Sequence, residues 1–319
     1  MRIEEPSQEL GPRAFRIVSP GHLIERLVTE AERFPGFVLH RGLTSRELLR
    51  DTEGRVRGTR ASGPGGEIVL NADLVIGADG RASTVRKRAG LTLDLTPESY
   101  DVLWLKAEPS PEQRSTLQLC ASGAEAALGY RSWDGRWQIG WLIDKGGWRE
   151  ARAGDWLGRV AALLPDPLAR HLLGQRERLP PPVLLDVEVG RAPSWHSPGV
   201  LLLGDAAHPM SPVRAQGINM ALRDAIVAGN HLVHAASRGA PIDAACRAIQ
   251  RERDAEIVPI QKLQYRELAG QRWARQQPWL VRPLLAVSSR LARASWFGPL
   301  WLRQQRPFRF GVCDVRLKV

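Results

Sequence analysis

Residues 200–219 read Val200-Leu201-Leu202-Leu203-Gly204-Asp205-Ala206-Ala207-His208-Pro209-Met210-Ser211-Pro212-Val213-Arg214-Ala215-Gln216-Gly217-Ile218-Asn219. Four aliphatic residues stopped by a Gly-Asp pair suit a short parallel strand covered on both faces. Such a strand ends by delivering Asp205. Pro209 and Pro212 keep the next residues in a loop. From Gly217 onward, Ile218, Leu222, Ala225 and Leu232 fall at helical spacing, and Gly239 suits a C-cap. A carboxylate is thus followed by a helix N-terminus, whose unsatisfied N–H groups carry roughly half a positive charge and favour an electron-rich or anionic group.

A second corner of the same kind lies upstream. Leu74–Ile76 reads as a short buried strand that stops at Gly77-Ala78-Asp79-Gly80, and Ser83 can cap the short helix after it. In open α/β sheets, ligands bind outside the carboxyl ends of strands, where both corners fall. Two readings of Asp79 stay open: acceptor for a ligand hydroxyl, or cap of a strand–turn–helix corner.

Outward from these corners, a helix is expected over Pro20–Arg33 and strands over Val38–His40 and Glu67–Leu70, with turns at Gly54 and Gly63–Gly66. Val102–Lys106, Thr116–Ser122, Ala126–Trp133 and Arg136–Ile143 form a candidate antiparallel meander. Helices follow over Trp148–Leu164 and Pro167–Leu173, then a strand over Val183–Val189. Pro180-Pro181-Pro182 marks a boundary. A last long helix starts at Pro241 and continues through Tyr265. The sum is an α/β body, an inserted β-rich layer and a helical C-terminal segment.

Composition excludes several classes. The chain has 319 residues, 43% hydrophobic and 25% charged, which is globular and leaves room for a large core. Cys120, Cys246 and Cys313 lie far apart with no CxxC pair, which argues against a disulfide framework or a cysteine zinc site and fits a reducing compartment. No apolar run reaches the roughly 18 residues of a membrane span. The opening MRIEEPSQEL is acidic and lacks the pattern of a cleaved signal peptide. A cytoplasmic location is expected.

The net charge of +11 is uneven: residues 247–319 hold 15 Lys and Arg against 5 Asp and Glu, and the rest hold 30 against 29. No nucleic-acid motif accompanies this surplus, so no nucleic-acid partner is expected. Between 278 and 305, four tryptophan and phenylalanine residues alternate with arginines; this segment is read either as a helix packed on the body or as a peripheral contact with a membrane surface. Trp137, Ile139, Trp141 and Ile143 share one strand face by two-residue alternation, as packing core or as a surface for a flat apolar substrate. No metal site is expected, since His231 and His234 have no third ligand in sight.

The pair GADGRASTVR (77–86) and GVLLLGDAAHPMSPVRAQGINMALRDA (199–225) resembles the two flavin motifs of class A flavoprotein monooxygenases, which include para-hydroxybenzoate hydroxylase and the ubiquinone-biosynthesis hydroxylases. The resemblance runs from about Arg16 to Gln264, with Arg191 and Trp195 also fitting. It implies an α/β fold: an incomplete Rossmann-like FAD-binding domain (1–97 and 183–240), an inserted antiparallel β-sheet substrate domain (98–182) and a C-terminal helical segment (241–319). It implies FAD as cofactor and NAD(P)H as cosubstrate, with oxygen transferred to an aromatic or quinonoid small molecule. Gly204 and Asp205 are expected at the ribityl chain, and Pro212, Gly217, Ile218 and Asn219 along the pyrimidine edge of the isoalloxazine. Asp79 and Gly80 are expected near the ribityl and pyrophosphate region. No side-chain catalytic base is assigned, and His208 is read as structural.

The sequence departs from that pattern in three places. It has no GxGxxG; Gly63-Pro64-Gly65-Gly66 has the wrong spacing and no helix after it. A strand–glycine loop–helix unit is therefore expected upstream of Met1, or else the chain is a truncated, non-catalytic remnant that binds a hydrophobic ligand or protein partner. Arg214 and Ala215 stand where glycines are usual; Arg214 is expected either to stabilise negative charge on a reduced flavin or to point to solvent. Pro20-Gly21-His22 stands where an Arg or Gln is common.

Overall fold

The computed structural model describes residues 18–111, 118–122, 125–277 and 297–318. In chain order the elements are α1 (Pro20–Ala31), β1 (Thr44–Arg50), β2 (Val56–Gly63), β3 (Gly66–Asn71), β4 (Val75–Gly77), α2 (Thr84–Arg88) and β5 (Asp94–Thr96). Next come β6 (Tyr100–Ala107), β7 (Gln118–Ser122), β8 (Glu125–Arg131), β9 (Trp137–Asp144), α3 (Trp148–Ala151), α4 (Trp156–Ala162) and α5 (Asp166–Leu173). The chain ends with β10 (Val183–Leu185), β11 (Val189–Arg191), β12 (His196–Ser197), β13 (Val200–Leu202), α6 (Gly217–Ser237), α7 (Ile242–Gln276) and α8 (Phe297–Phe310). These divide into two compact units, Met1–Leu39 with Glu98–Val187, and His40–Pro97 with Glu188–Val319.

The first unit is built on a five-stranded antiparallel sheet of order β10-β6-β9-β8-β7. The strand β9 decides its packing. Trp137, Ile139 and Trp141 are fully buried and Ile143 nearly so, and they pack with Leu103, Leu105 and the inward residues Leu157, Val160, Leu168 and Leu172 of α4 and α5. The alternating stripe is therefore core. Two expectations change here. Trp148–Leu164 is two short helices, because the 151–155 segment turns at Gly154 and Asp155 restarts the chain by accepting from the Gly158 N–H at 3.0 Å. Val183–Val189 is also two strands: β10 pairs with β6, while β11 pairs with β5 in the second unit. Asp101 explains the break at that point. Its buried carboxylate accepts from the Val187 and Gly146 N–H groups and from Lys145 Nζ at 2.9–3.0 Å.

The second unit holds the three-stranded antiparallel sheet β1-β2-β3 and the small sheet β12-β13-β4, in which β13 and β4 run parallel. Val38–His40 is not a strand; the chain pairs slightly later, in β1. All three β13 residues are fully buried, each worth about 1.5–3 kcal/mol of transfer free energy. Gly77 is needed for this fit, since a Cβ there would lie 2.8–2.9 Å from Val85 and Leu202. The helices α6 and α7 pack beside this sheet through Val227, Ala228, Cys246 and Ile249. The expected surface segment 278–305 lies outside the described residues up to 296; its remainder opens α8. No helix among the described residues is long and apolar enough to cross a membrane.

Trp141→Ala is expected to cost about 3–5 kcal/mol, read as a lower urea midpoint. An unchanged midpoint would mean that the stripe is a free ligand surface and not packing core.

Candidate functional site

Parallel pairing of β4 and β13, in the register Val75↔Val200 to Gly77↔Leu202, brings the carboxyl ends of both strands to one edge. Asp79 and Asp205 leave from that edge. Arg81 joins the two corners, with its Nε 3.3 Å from Asp205 Oδ2. Arg86 fixes the same junction from beneath: one guanidinium nitrogen donates to the Ala206 carbonyl at 2.8 Å and the other to the Arg81 carbonyl at 2.6 Å. Asp79 itself acts as the cap. It accepts from the Ser83 hydroxyl at 2.5 Å and from the Val85 N–H at 3.0 Å, while Ser83 accepts from the Arg86 N–H. Its carboxylate thus holds the start of α2, and Asp205 is the less committed of the two, with a third of its side chain exposed.

The turn after β13 depends on Gly204, whose φ of +59° is a left-handed value that most residues avoid. That conformation aims the Gly204 N–H at Asp224 Oδ2, 2.9 Å away on α6. The His208 Nε2 donates to the same oxygen at 2.6 Å. Arg253 of α7 donates from Nε to Asp224 Oδ1 at 2.7 Å and from Nη1 to Glu256 at 2.5 Å. Glu256 is also gripped by the Arg223 guanidinium at 2.7–2.8 Å and by the Val312 N–H at 2.9 Å. Asp224, Arg253 and Glu256 are fully buried, and His208 nearly so.

Burial opposes ionisation of Asp224, but His208 and Arg253 outweigh it and hold the carboxyl below the usual carboxylate range. Glu256 is held low in the same way by Arg223 and Arg253, against the penalty of burial. Sequence reasoning missed this network, although it left a trace. Asp224 stands on the buried stripe Met220, Val227, Ala228, and Arg253 and Glu256 stand on the stripe Ile249, Ile257, Ile260. Charged residues at apolar helical positions indicate paired buried charge.

The loop Ser211–Gln216 leads into α6. Arg214 (φ +65°) and Ala215 (φ +51°) are the non-glycine residues with positive φ among those described. Left-handed backbone costs a residue with a Cβ roughly 1–2 kcal/mol. Arg214 neither points freely to solvent nor turns toward the α6 terminus: it forms a two-pronged pair with Glu267 of α7, at 3.0 and 2.9 Å. Past this loop Gly217 is half-buried with open space where a Cβ would be, and Ile218 and Asn219 are exposed. Pro212 is half-buried beside Ser211, and Gly80 (φ +80°) likewise has nothing within 4 Å of a Cβ position.

A half-exposed carboxylate, two glycines that leave room, and the N-terminus of a 21-residue helix fit a polyol chain joined to a flat, electron-accepting ring. The fold is α/β, with both corners at one edge of the β12-β13-β4 sheet. Residues 4–254 match the family model described as FAD binding domain, so the chain belongs to that family.

Among curated relatives, 6-methylpretetramide 4-monooxygenase from Streptomyces rimosus is 36% identical over 65% of this chain and 50% of its own length. Kynurenine 3-monooxygenase from Salinispora arenicola is 30% identical over 70% of this chain and 51% of its own. The chain therefore spans about half the length of the curated relatives it matches. The solved anhydrotetracycline hydroxylase from Streptomyces rimosus shares the fold, with a TM-score of 0.66 at 18% identity over 94% of this chain and 58% of its own.

Arg253→Met leaves two buried carboxylates short of a cation, and a loss of about 3–5 kcal/mol is expected at neutral pH. Because the folded carboxyls of Asp224 and Glu256 titrate below their unfolded values, the network's stabilisation is complete above about pH 5 and fades as pH falls through the folded values. The gap in urea midpoint between wild type and variant should thus narrow toward about pH 3. A gap constant with pH would show that charge is not its source.

Proposed function

We propose that the chain is the flavin-bearing part of an FAD-dependent monooxygenase that uses NAD(P)H and O₂ to oxygenate an aromatic or quinonoid small molecule. The observation that carries this reading is the shared edge of β4 and β13, where Asp205 stands beside the corner of Asp79 and Gly80. Family membership supports FAD, and the activities of the relatives, a 6-methylpretetramide 4-monooxygenase and a kynurenine 3-monooxygenase, support oxygenation over a non-catalytic remnant.

The bound cofactor would supply two-electron chemistry and oxygen activation. The residues of this chain would do the rest. Asp205 would accept hydrogen bonds from ribityl hydroxyls, its carboxylate oriented by Arg81. Gly204 would let the backbone approach closely, and the N–H groups of Gly217, Ile218 and Asn219 would face the pyrimidine edge, where a helix N-terminus stabilises developing negative charge. Gly217 and Gly80 leave the room this requires. Asp79, engaged in capping α2, would set the position of Gly80 more than contact the cofactor. These residues are assigned to the ribityl and isoalloxazine end of FAD, with the corner of Asp79 and Gly80 toward its ribityl and pyrophosphate region.

Asp205→Ala is expected to weaken FAD binding about tenfold or more, the worth of a charge-assisted hydrogen bond to a ligand. Titration by flavin fluorescence quenching, with the visible spectrum of the purified chain, measures it. Equal affinity in both proteins would remove Asp205 from the site.

A further inference from the structure

The left-handed pair Arg214–Ala215 is held from outside the loop. Gln264 of α7, 1% exposed, donates its amide hydrogens to two loop carbonyls, Ser211 at 3.0 Å and Val213 at 2.7 Å. Three residues further along the same helix, Glu267 takes the Arg214 guanidinium in its two-pronged pair. Residues three apart share a helix face, so one face of α7 grips the loop just before its strained segment and at that segment's first residue. The guanidinium also lies over the Phe308 ring, 5.7 Å from its centroid. Inside the loop, Gln216 Nε2 donates to the Arg214 carbonyl at 2.8 Å, and the Ala215 N–H donates to the Pro212 carbonyl at 3.0 Å. Gln216 and the Met220 N–H that bonds to its carbonyl then begin α6.

We infer that Gln264 and Glu267 are positioning residues that fix the direction of the α6 N-terminal N–H groups toward the flavin, with Arg214 as the connecting arm. This rests on the reading in the preceding subsection. The positive charge of Arg214 is spent on Glu267, and its effect on the cofactor is geometric. The backbone needs this grip because neither Arg214 nor Ala215 adopts left-handed φ by itself. With a glycine at 215 the cost at that position would fall away, leaving only that at Arg214, and the grip would matter less.

The test uses the full chain and four proteins: wild type, Glu267→Gln, Gln264→Leu, and Glu267→Gln combined with Ala215→Gly. Thermal unfolding first establishes that each folds. FAD affinity is then measured by fluorescence quenching, and amide hydrogen exchange is followed without flavin. The expected result is about a tenfold weaker FAD affinity in Glu267→Gln and in Gln264→Leu, equivalent to about 1.4 kcal/mol. Exchange should quicken at Ala215 and Met220 while β13 stays protected, and Ala215→Gly should restore most of the lost affinity. Folded variants with wild-type affinity and wild-type exchange would overturn the inference, as would lost affinity that Ala215→Gly does not recover. If wild type binds no FAD, the proposed function fails by itself. The exchange of Ala215 and Met220 then decides the grip: faster in both single variants upholds it, and unchanged overturns it.

Discussion

Asp224 sits without solvent between α6 and α7 and must balance its charge entirely within the protein. It does so with Arg253, whose second partner, Glu256, takes its own second cation from Arg223. Removing any member strands a charge that costs several kcal/mol to leave unpaired in the interior. The chain of pairs therefore acts as a rigid bar between the two helices. Gly204 is bound to one end of that bar, so the turn that presents Asp205 inherits its position. At the other end, Glu256 accepts the Val312 N–H and ties down the C-terminal residues. The Asn230 side chain continues that tie by pairing with the Arg316 carbonyl and the Lys318 N–H, both at 2.8 Å. A carboxylate on a surface turn is thus placed by ionic contacts that never touch solvent.

The same logic separates the two carboxylates that sequence reasoning paired as ligands. Asp79 spends its oxygens on Ser83 and Val85 and builds the corner; Asp205 faces Arg81 and keeps a third of its side chain in solvent. One makes the frame and the other is available. A helix as short as α2, five residues, cannot hold itself together in water and needs such a cap. His208, tempting as an acid or base, is likewise committed: its Nε2 supports Asp224 while its ring lies against buried Trp195 at 4.8 Å.

What the sequence displayed was local and periodic. The aliphatic run before Gly204 and the two-residue alternation of β9 announce buried strands because burial on fixed faces imposes those patterns, whereas the run before Gly77 forms the strand β4 but leaves Ile76 exposed and Val75 half-buried. The strand β1, Thr-Ser-Arg-Glu-Leu-Leu-Arg, shows no such alternation; pairing with β2 makes it a strand, and pairing is not local. The break in Val183–Val189 was hidden for the same reason, since a buried Asp101 from far upstream creates it. In the site, the corners and the helix start were legible, while Arg81, Gln264 and Glu267 were not. Each of these works through a partner at least 51 residues distant in sequence, as with Gln264 and Val213 or Glu267 and Arg214, or farther still for Arg81 and Asp205.

Along α7 the charge of 247–319 is only mildly uneven: residues 247–276 hold 7 Lys and Arg against 4 Asp and Glu, and residues 277–319 hold 8 against 1. The acidic residues of 247–319 are Glu252, Asp254, Glu256, Glu267 and Asp314. Four of them pair outside that segment, Glu252 with His231, Asp254 with Arg191, Glu256 with Arg223 and Glu267 with Arg214. Glu256 of α7 is buried and Asp254 and Glu267 are half-buried as anchors, while Glu252, Arg247, Arg251, Lys262 and Arg266 of the same helix remain exposed. A helix that uses its carboxylates to hold its neighbours shows basic side chains to water. Exposed basic side chains on such a helix do not by themselves call for an anionic partner. The exposed basic side chains along α7 are the outer side of the structure that positions Asp205 and the start of α6.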